Sequence, residues 1–177
     1  MMERDLSFTP EKDFNWKTVT DLDGVEMDIR QIMATIQHRF PFLLVDRMLE
    51  LEPGKHAVGL KNVTADEYFF PGQYPKNSMM PGALLVEHGA QVGCIFLLAM
   101  EANKGKLALF AGVDGVKFRR KVIPGDQLIT EVIVLRLSGR AGKATVISRV
   151  DGKVVAEGQY TFMFIPDPVQ QEQVGKG

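Results

Sequence analysis

A chain of 177 residues with 45% hydrophobic and 24% charged residues has the makings of one soluble globular domain with a substantial core. Its 21 basic and 22 acidic side chains leave a net charge of −1, which argues against nucleic acid or an anionic membrane as a whole-molecule partner. With Cys94 as its one cysteine, it can build no internal disulfide framework, and a cysteine-based zinc site is a poor reading.

Residues 1–27 mix charge with scattered aromatics (Phe8, Phe14, Trp16) and show no sustained period, so they read as an N-terminal extension. No basic segment followed by an apolar one opens the chain. A secretory signal is therefore not expected, and the setting is cytoplasmic and reducing. Apolar residues at 29, 32, 33 and 36 have helical spacing, with Asp28 placed to cap them. That helix ends before His38-Arg39-Phe40-Pro41, because proline confines its predecessor to extended geometry. Phe42 to Leu51 reads as a strand, Glu52-Pro53-Gly54-Lys55 as a turn, and His56 to Val63 as the returning strand of a hairpin. His56, just past the turn, is expected to face solvent. Thr64 to Met79 is an irregular stretch rich in aromatics, glycine and proline, of a length that is often functional.

Pro81 suits the first turn of a helix. From Ala83 to Met100 apolar residues occupy nearly every face, so this second helix must be enclosed. The stretch approaches membrane-spanning length, but Glu87, His88 and Gln91 lie inside it and are expensive at bilayer depth. A buried helix of a soluble protein is the better reading. After Lys104-Gly105-Lys106 the chain is β-rich, with strands at Leu107–Val122 and Gln127–Leu137. A hairpin of Lys143–Val150 and Lys153–Ile165 follows, around Asp151-Gly152, a dipeptide that favours tight hairpin turns. Pro166 and Pro168 close the ordered part, and residues 167–177 read as a flexible tail. A helix apolar on all sides, beside one antiparallel sheet, is satisfied when the sheet curls around it. The expected class is α+β, with residues 28–166 as one domain in the hotdog arrangement.

Four blocks of sequence carry a resemblance. They are His38-Arg39-Phe40-Pro41-Phe42-Leu43-Leu44-Val45-Asp46-Arg47; Pro53-Gly54-Lys55 with Lys61-Asn62-Val63-Thr64; Phe69-Phe70-Pro71-Gly72-Gln73-Tyr74-Pro75 with Met80-Pro81-Gly82-Ala83-Leu84-Leu85-Val86-Glu87 and Ala90-Gln91; and Lys117-Phe118-Arg119-Arg120-Lys121-Val122 with Pro124-Gly125-Asp126-Gln127-Leu128. The chain resembles the beta-hydroxyacyl-acyl carrier protein dehydratases of type II fatty-acid synthesis. The resemblance implies a hotdog fold, a site shared across a dimer interface, a trimer of dimers, and a 3-hydroxyacyl chain delivered by acyl carrier protein. It also implies a histidine on the loop before the central helix and a carboxylate on that helix. The carboxylate matches Glu87; at the histidine's position stands Gln73. The resemblance further gives the Gly82 backbone N–H the part of donor to the thioester carbonyl.

The chemistry of these residues limits what can be carried over. Water elimination from a 3-hydroxyacyl thioester needs a base for the C2 proton and an acid for the departing hydroxyl. Imidazole can take that proton near neutrality; a glutamine amide cannot, and can only orient substrate or water. Glu87, mid-helix among Leu84, Leu85 and Val86, is the candidate acid. His38 and His88 read as structural or interfacial, with His88 about 100° around the helix from Glu87. Lys117, Arg119, Arg120 and Lys121 concentrate positive charge and suit docking of an acidic carrier protein. Leu84, Leu85, Phe96, Leu97 and Leu98 are core, with some lining an acyl tunnel. No clustered ligand set and no glycine-rich phosphate loop is present in the sequence, so neither a metal nor a nucleotide cofactor is expected. Three readings stand: a dehydratase with an altered site, a thioesterase using Glu87 and Gln73, and a non-catalytic acyl-binding subunit pairing with an intact paralogue.

Overall fold

The computed structural model describes residues 27–72 and 77–167. Within them, helix α1 (Ile29–Thr35) precedes strands β1 (Arg47–Glu52) and β2 (His56–Asn62). The long helix α2 (Gly82–Leu98) follows, then a 3₁₀ turn at Glu101–Asn103. Strands β3 (Lys106–Phe118), β4 (Gln127–Leu137), β5 (Ala141–Val150) and β6 (Lys153–Pro166) complete the chain order. The strands form one antiparallel sheet in the order β1-β2-β4-β5-β6-β3. It curls around α2, which packs against β2, β3, β4, β5 and β6 alike. This is the hotdog fold that the sequence leads one to expect.

Local chemistry sets most boundaries. Asp28 caps α1 through the Arg30 and Gln31 N–H groups, while the Gln31 side chain accepts in turn from the Asp28 N–H. Asp151 and Gly152 both have positive φ, 49° and 73°, as the two-residue turn between β5 and β6 requires. Pro81 stands one place earlier than expected, as the N-cap of α2.

Two strands are shorter than the apolar runs suggest. β1 begins at Arg47 rather than Phe42 because the intervening backbone is committed elsewhere. The Phe42 N–H donates to Arg39, and both Phe42 C=O and Leu44 N–H bond the Gln91 side chain. β3 stops at Phe118, and Val122 C=O instead accepts the Met80 N–H at the start of α2. His56 does not face open solvent, because the hairpin closes Glu50 and Glu52 around its ring, with Nε2 2.8 Å from Glu50 Oε2.

Glycines bring the helix close to the sheet. A Cβ on Gly59 would sit 2.5 Å from Val92 Cγ2, one on Gly89 2.7 Å from Val146 Cγ1, and one on Gly93 2.5 Å from Phe162 Cζ. The core around this contact includes Val92, Ile95, Phe96, Val132, Val146 and Phe162, all buried. The helix also presents His88 to the sheet, fully buried. Its Nδ1 shares a 3.0 Å hydrogen bond with the Thr130 hydroxyl, which bonds Ser148 Oγ at 2.7 Å. Burial, aided by the nearby Lys61 charge, pushes the His88 pKa down to about 3, so the ring is neutral.

Candidate functional site

Glu87 and His88 diverge around α2 as helical geometry dictates. Where His88 enters the sheet, Glu87 faces the loop between α1 and β1, its side chain 21% exposed. It is half-buried rather than enclosed. Gln91, one turn on, donates from Nε2 to Glu87 Oε1 at 2.8 Å. The same nitrogen donates to Phe42 C=O at 2.7 Å, and Gln91 Oε1 accepts the Leu44 N–H at 2.8 Å. A fully satisfied, buried amide thus fixes the carboxylate and the loop together.

The loop brings a second titratable group to this carboxylate. His38 Nε2 lies 3.6 Å from Glu87 Oε1. The His38 ring stacks on Phe42, centroids 6.0 Å apart. Arg39 pins the loop backbone by donating to the carbonyl oxygens of Met33, Ile36 and His38. His38 Nδ1 is shut away from solvent and has no hydrogen-bond partner among the described residues.

His38 also lines an open cleft of about 840 Å³ between α1, α2 and β3. The α2 residues Cys94 and Leu98 continue along the stripe that carries Glu87 and Gln91, and Leu107, Ala108 and Leu109 of β3 form the facing wall. Spacings of four, three and four keep these helix residues on one face. Lys104, Lys106 and Asp167 lie among the cleft's polar lining. Burial first, and the charge of Glu87 second, push the Cys94 thiol up to about 12. It is therefore a wall of the cleft rather than a nucleophile.

At the start of α2 no side chain caps the helix, and the Gly82 N–H has no acceptor among the described residues. Phe118 packs so closely on Gly82 that an added Cβ would lie 2.9 Å from its ring. The FabA-like domain, as a family, matches residues 36–160, a span that contains His38, Gly82, Glu87 and Gln91.

The chain belongs to the FabA-like domain family. Curated relatives agree along nearly their full length. The 3-hydroxyacyl-(acyl-carrier-protein) dehydratase FabZ of Geobacillus thermodenitrificans is 53% identical over 136 residues, covering 77% of this chain and 94% of the relative. That of Exiguobacterium sibiricum is 54% identical over 134 residues, covering 76% and 96%. Among solved structures, the dehydratase heterocomplex ApeI:P from Xenorhabdus doucetiae superposes with a TM-score of 0.67 at 16% identity, over 82% of this chain and 97% of that one. At that identity the likeness speaks for the fold.

Of the residues that the sequence singles out in this FabA-like chain, Glu87 and Gly82 share α2, five positions apart. Gln73 lies outside the described residues. Lys117, Arg119, Arg120 and Lys121 are all exposed, and Arg119 pairs with Glu157. Because Phe118 touches Gly82, this basic run adjoins the open end of the helix. Leu85, Phe96 and Leu97 are core, while Leu98 lines the cleft.

The approach of His38 to Glu87 is the contact that the sequence does not announce, where His38 reads as structural or interfacial. Forty-nine positions separate it from Glu87, and no periodicity links a loop histidine to a helix carboxylate. Gln91 was legible as a polar residue in an apolar helix. Its spacing of four from Glu87 was the available signal.

Proposed function

We propose that this protein eliminates water from 3-hydroxyacyl thioesters presented by acyl carrier protein, as a dehydratase of fatty-acid biosynthesis whose site departs from the usual histidine. The observation that carries the reading is Glu87, held by Gln91 and standing 3.6 Å from His38, which lines a partly apolar cleft. Relatives named for this activity, more than 50% identical over 94–96% of their length, support it.

In this reading Glu87 delivers a proton to the departing C3 hydroxyl. The Gly82 N–H, at the positive end of α2, binds the thioester carbonyl and stabilises the charge that grows on it as the C2 proton leaves. Gln73 orients substrate or water with its amide. Lys117, Arg119, Arg120 and Lys121 attract the acidic carrier protein, and their place beside Gly82 suits delivery of a tethered thioester to the helix start. The acyl chain lies along the Cys94, Leu98 and Ala108 walls.

A second copy of the chain completes the assembly we propose. β3 is an edge strand of 13 residues that, among the described residues, pairs with β6 alone, and it exposes Leu109, Phe110, Val113 and Phe118. A long apolar edge of that kind is a template for pairing with another chain. Two β3 strands meeting about a twofold axis would join the sheets into a dimer, three of which could associate further. Residues 28–166 form the hotdog domain of each subunit, and a cytoplasmic setting suits a carrier-protein substrate. No helix among the described residues is long and apolar enough to cross a membrane.

The test is direct. Purified protein is incubated with a 3-hydroxyacyl carrier-protein thioester, and the product is identified by mass. Loss of water with the thioester intact is the expected result. Release of free acid and carrier thiol would replace this reading with a thioesterase.

A further inference from the structure

Water elimination needs two proton-transfer groups, and the amide at Gln73 can be neither. We propose that His38 supplies the missing one, as the base that removes the C2 proton while Glu87 acts as the acid. The inference rests on the dehydratase reading above and deepens it.

Three observations carry it. First, His38 Nε2 and Glu87 Oε1 are 3.6 Å apart, just beyond hydrogen-bond length. Two groups so spaced can each face one of two adjacent carbons. Second, the ring reaches the cleft while its placement is fixed, by the stack on Phe42 and by the Arg39 clasp on the Met33, Ile36 and His38 carbonyls. Third, Nδ1 is buried without a partner among the described residues, an arrangement native proteins seldom keep without a use. With that side closed, Nε2 is the nitrogen through which the ring can gain or lose a proton. The charged group facing the imidazole is Glu87 from α2; Arg39 of the same loop bonds the His38 backbone carbonyl, and Lys104, Lys106 and Asp167 lie elsewhere along the cleft.

The step balances within the chain. Nε2 takes the C2 proton, and the C2–H electron pair becomes the second bond of C2=C3. The C3–O bond breaks with its electrons on oxygen, which receives the Glu87 proton and leaves as water. The proton now on Nε2 crosses the short gap to Glu87 and restores both groups. Because His38 and Glu87 belong to one chain, the pair does not wait for a partner subunit to supply a histidine.

The experiment uses the full chain and the carrier-protein thioester assay. His38→Asn keeps a polar side chain of similar size that cannot serve as a base. It should lower kcat by roughly 10²–10⁴-fold with KM little changed and with an unaltered circular dichroism spectrum. His38→Ala should regain turnover as imidazole is added to the buffer, and His38→Asn should regain it when combined with Gln73→His. A His38→Asn enzyme at the wild-type rate overturns the proposal. So does a loss that neither imidazole nor Gln73→His recovers, since that marks a purely structural role. Wild-type protein that yields no enoyl product overturns the dehydratase reading itself, before any variant is made.

Discussion

Gln91 holds the Glu87 carboxylate from one turn further along the same helix, with Nε2 donating to Oε1 at 2.8 Å. The amide also ties down Phe42 C=O and Leu44 N–H. Replacing it by leucine therefore frees the carboxylate to swing and orphans two loop backbone groups. We expect Gln91→Leu to cost about 1–3 kcal/mol in urea denaturation, the penalty of unmade buried hydrogen bonds. Turnover should fall on the order of 10²-fold, since displacing a reacting group by about 1 Å is that costly. Unchanged turnover beside the expected loss of stability would show that Glu87 needs no such support.

How much of this was legible in the sequence follows from the range of the interactions involved. The enclosing sheet was readable because α2 is apolar on every side, and the β5–β6 turn because Asp151-Gly152 states its own geometry. The early ends of β1 and β3 were not. Phe42 and Val122 look like strand residues, and only long-range bonds, to Gln91 and to Met80, take their backbones out of the ladder. Gly59, Gly89 and Gly93 likewise gave no sign that they mark where helix and sheet touch. At the site, motif and chemistry together singled out Glu87 and Gly82 as candidates. The meeting of His38 with Glu87 was not legible, because it depends on how a loop folds back.

Position 73 tests the same assignment from the other side. With His38 already standing as the base, a second proton acceptor adds little, so Gln73→His alone is expected to leave the elimination rate nearly unchanged. In the His38→Asn background the same substitution should raise the rate by roughly 10²-fold or more, while Glu87→Gln abolishes turnover in either background. The measurement is single-turnover formation of the enoyl thioester, with deuterium at C2 of the substrate to show that the chemical step limits the rate. A gain of roughly 10²-fold from Gln73→His alone would mean that no base stands in place in the wild-type site.

His88 makes stability depend on pH with a defined sign. Burial lowers its folded pKa to about 3, against about 6.5 in the unfolded chain. Above pH 6.5 neither state is protonated there and the residue has no effect. Between 6.5 and 3 the unfolded state binds a proton that the folded state refuses, so stability falls as pH falls. The slope is at most about 1.4 kcal/mol per pH unit for this one group. Urea midpoints measured from pH 7.5 to 4.5 should show the decline. The difference between wild type and His88→Gln isolates it from the carboxylates, which titrate in both. Parallel curves would mean that His88 becomes charged in place.

Gly93 sets two magnitudes against each other. Alanine is favoured over glycine within a helix by about 1 kcal/mol. Here, however, the new methyl would lie 2.5 Å from Phe162 Cζ and within 3.2 Å of two more ring atoms. That ring is fully buried and sits 5.8 Å from Phe110, centroid to centroid, so it is not a flexible chain end that can step aside. Overpacking of this kind costs about 1–3 kcal/mol and wins over propensity. The expected result for Gly93→Ala is a drop in Tm of roughly 2–8 °C. Gly139, between β4 and β5, where an added methyl would meet no atom within 4 Å, serves as the control and should tolerate alanine. Relief by pushing α2 off the sheet would move Glu87 as well, so turnover should fall with Tm. A Gly93→Ala protein that is less stable yet fully active would show that the helix yields only around its own residue 93, leaving the Glu87 turn where Gln91 holds it.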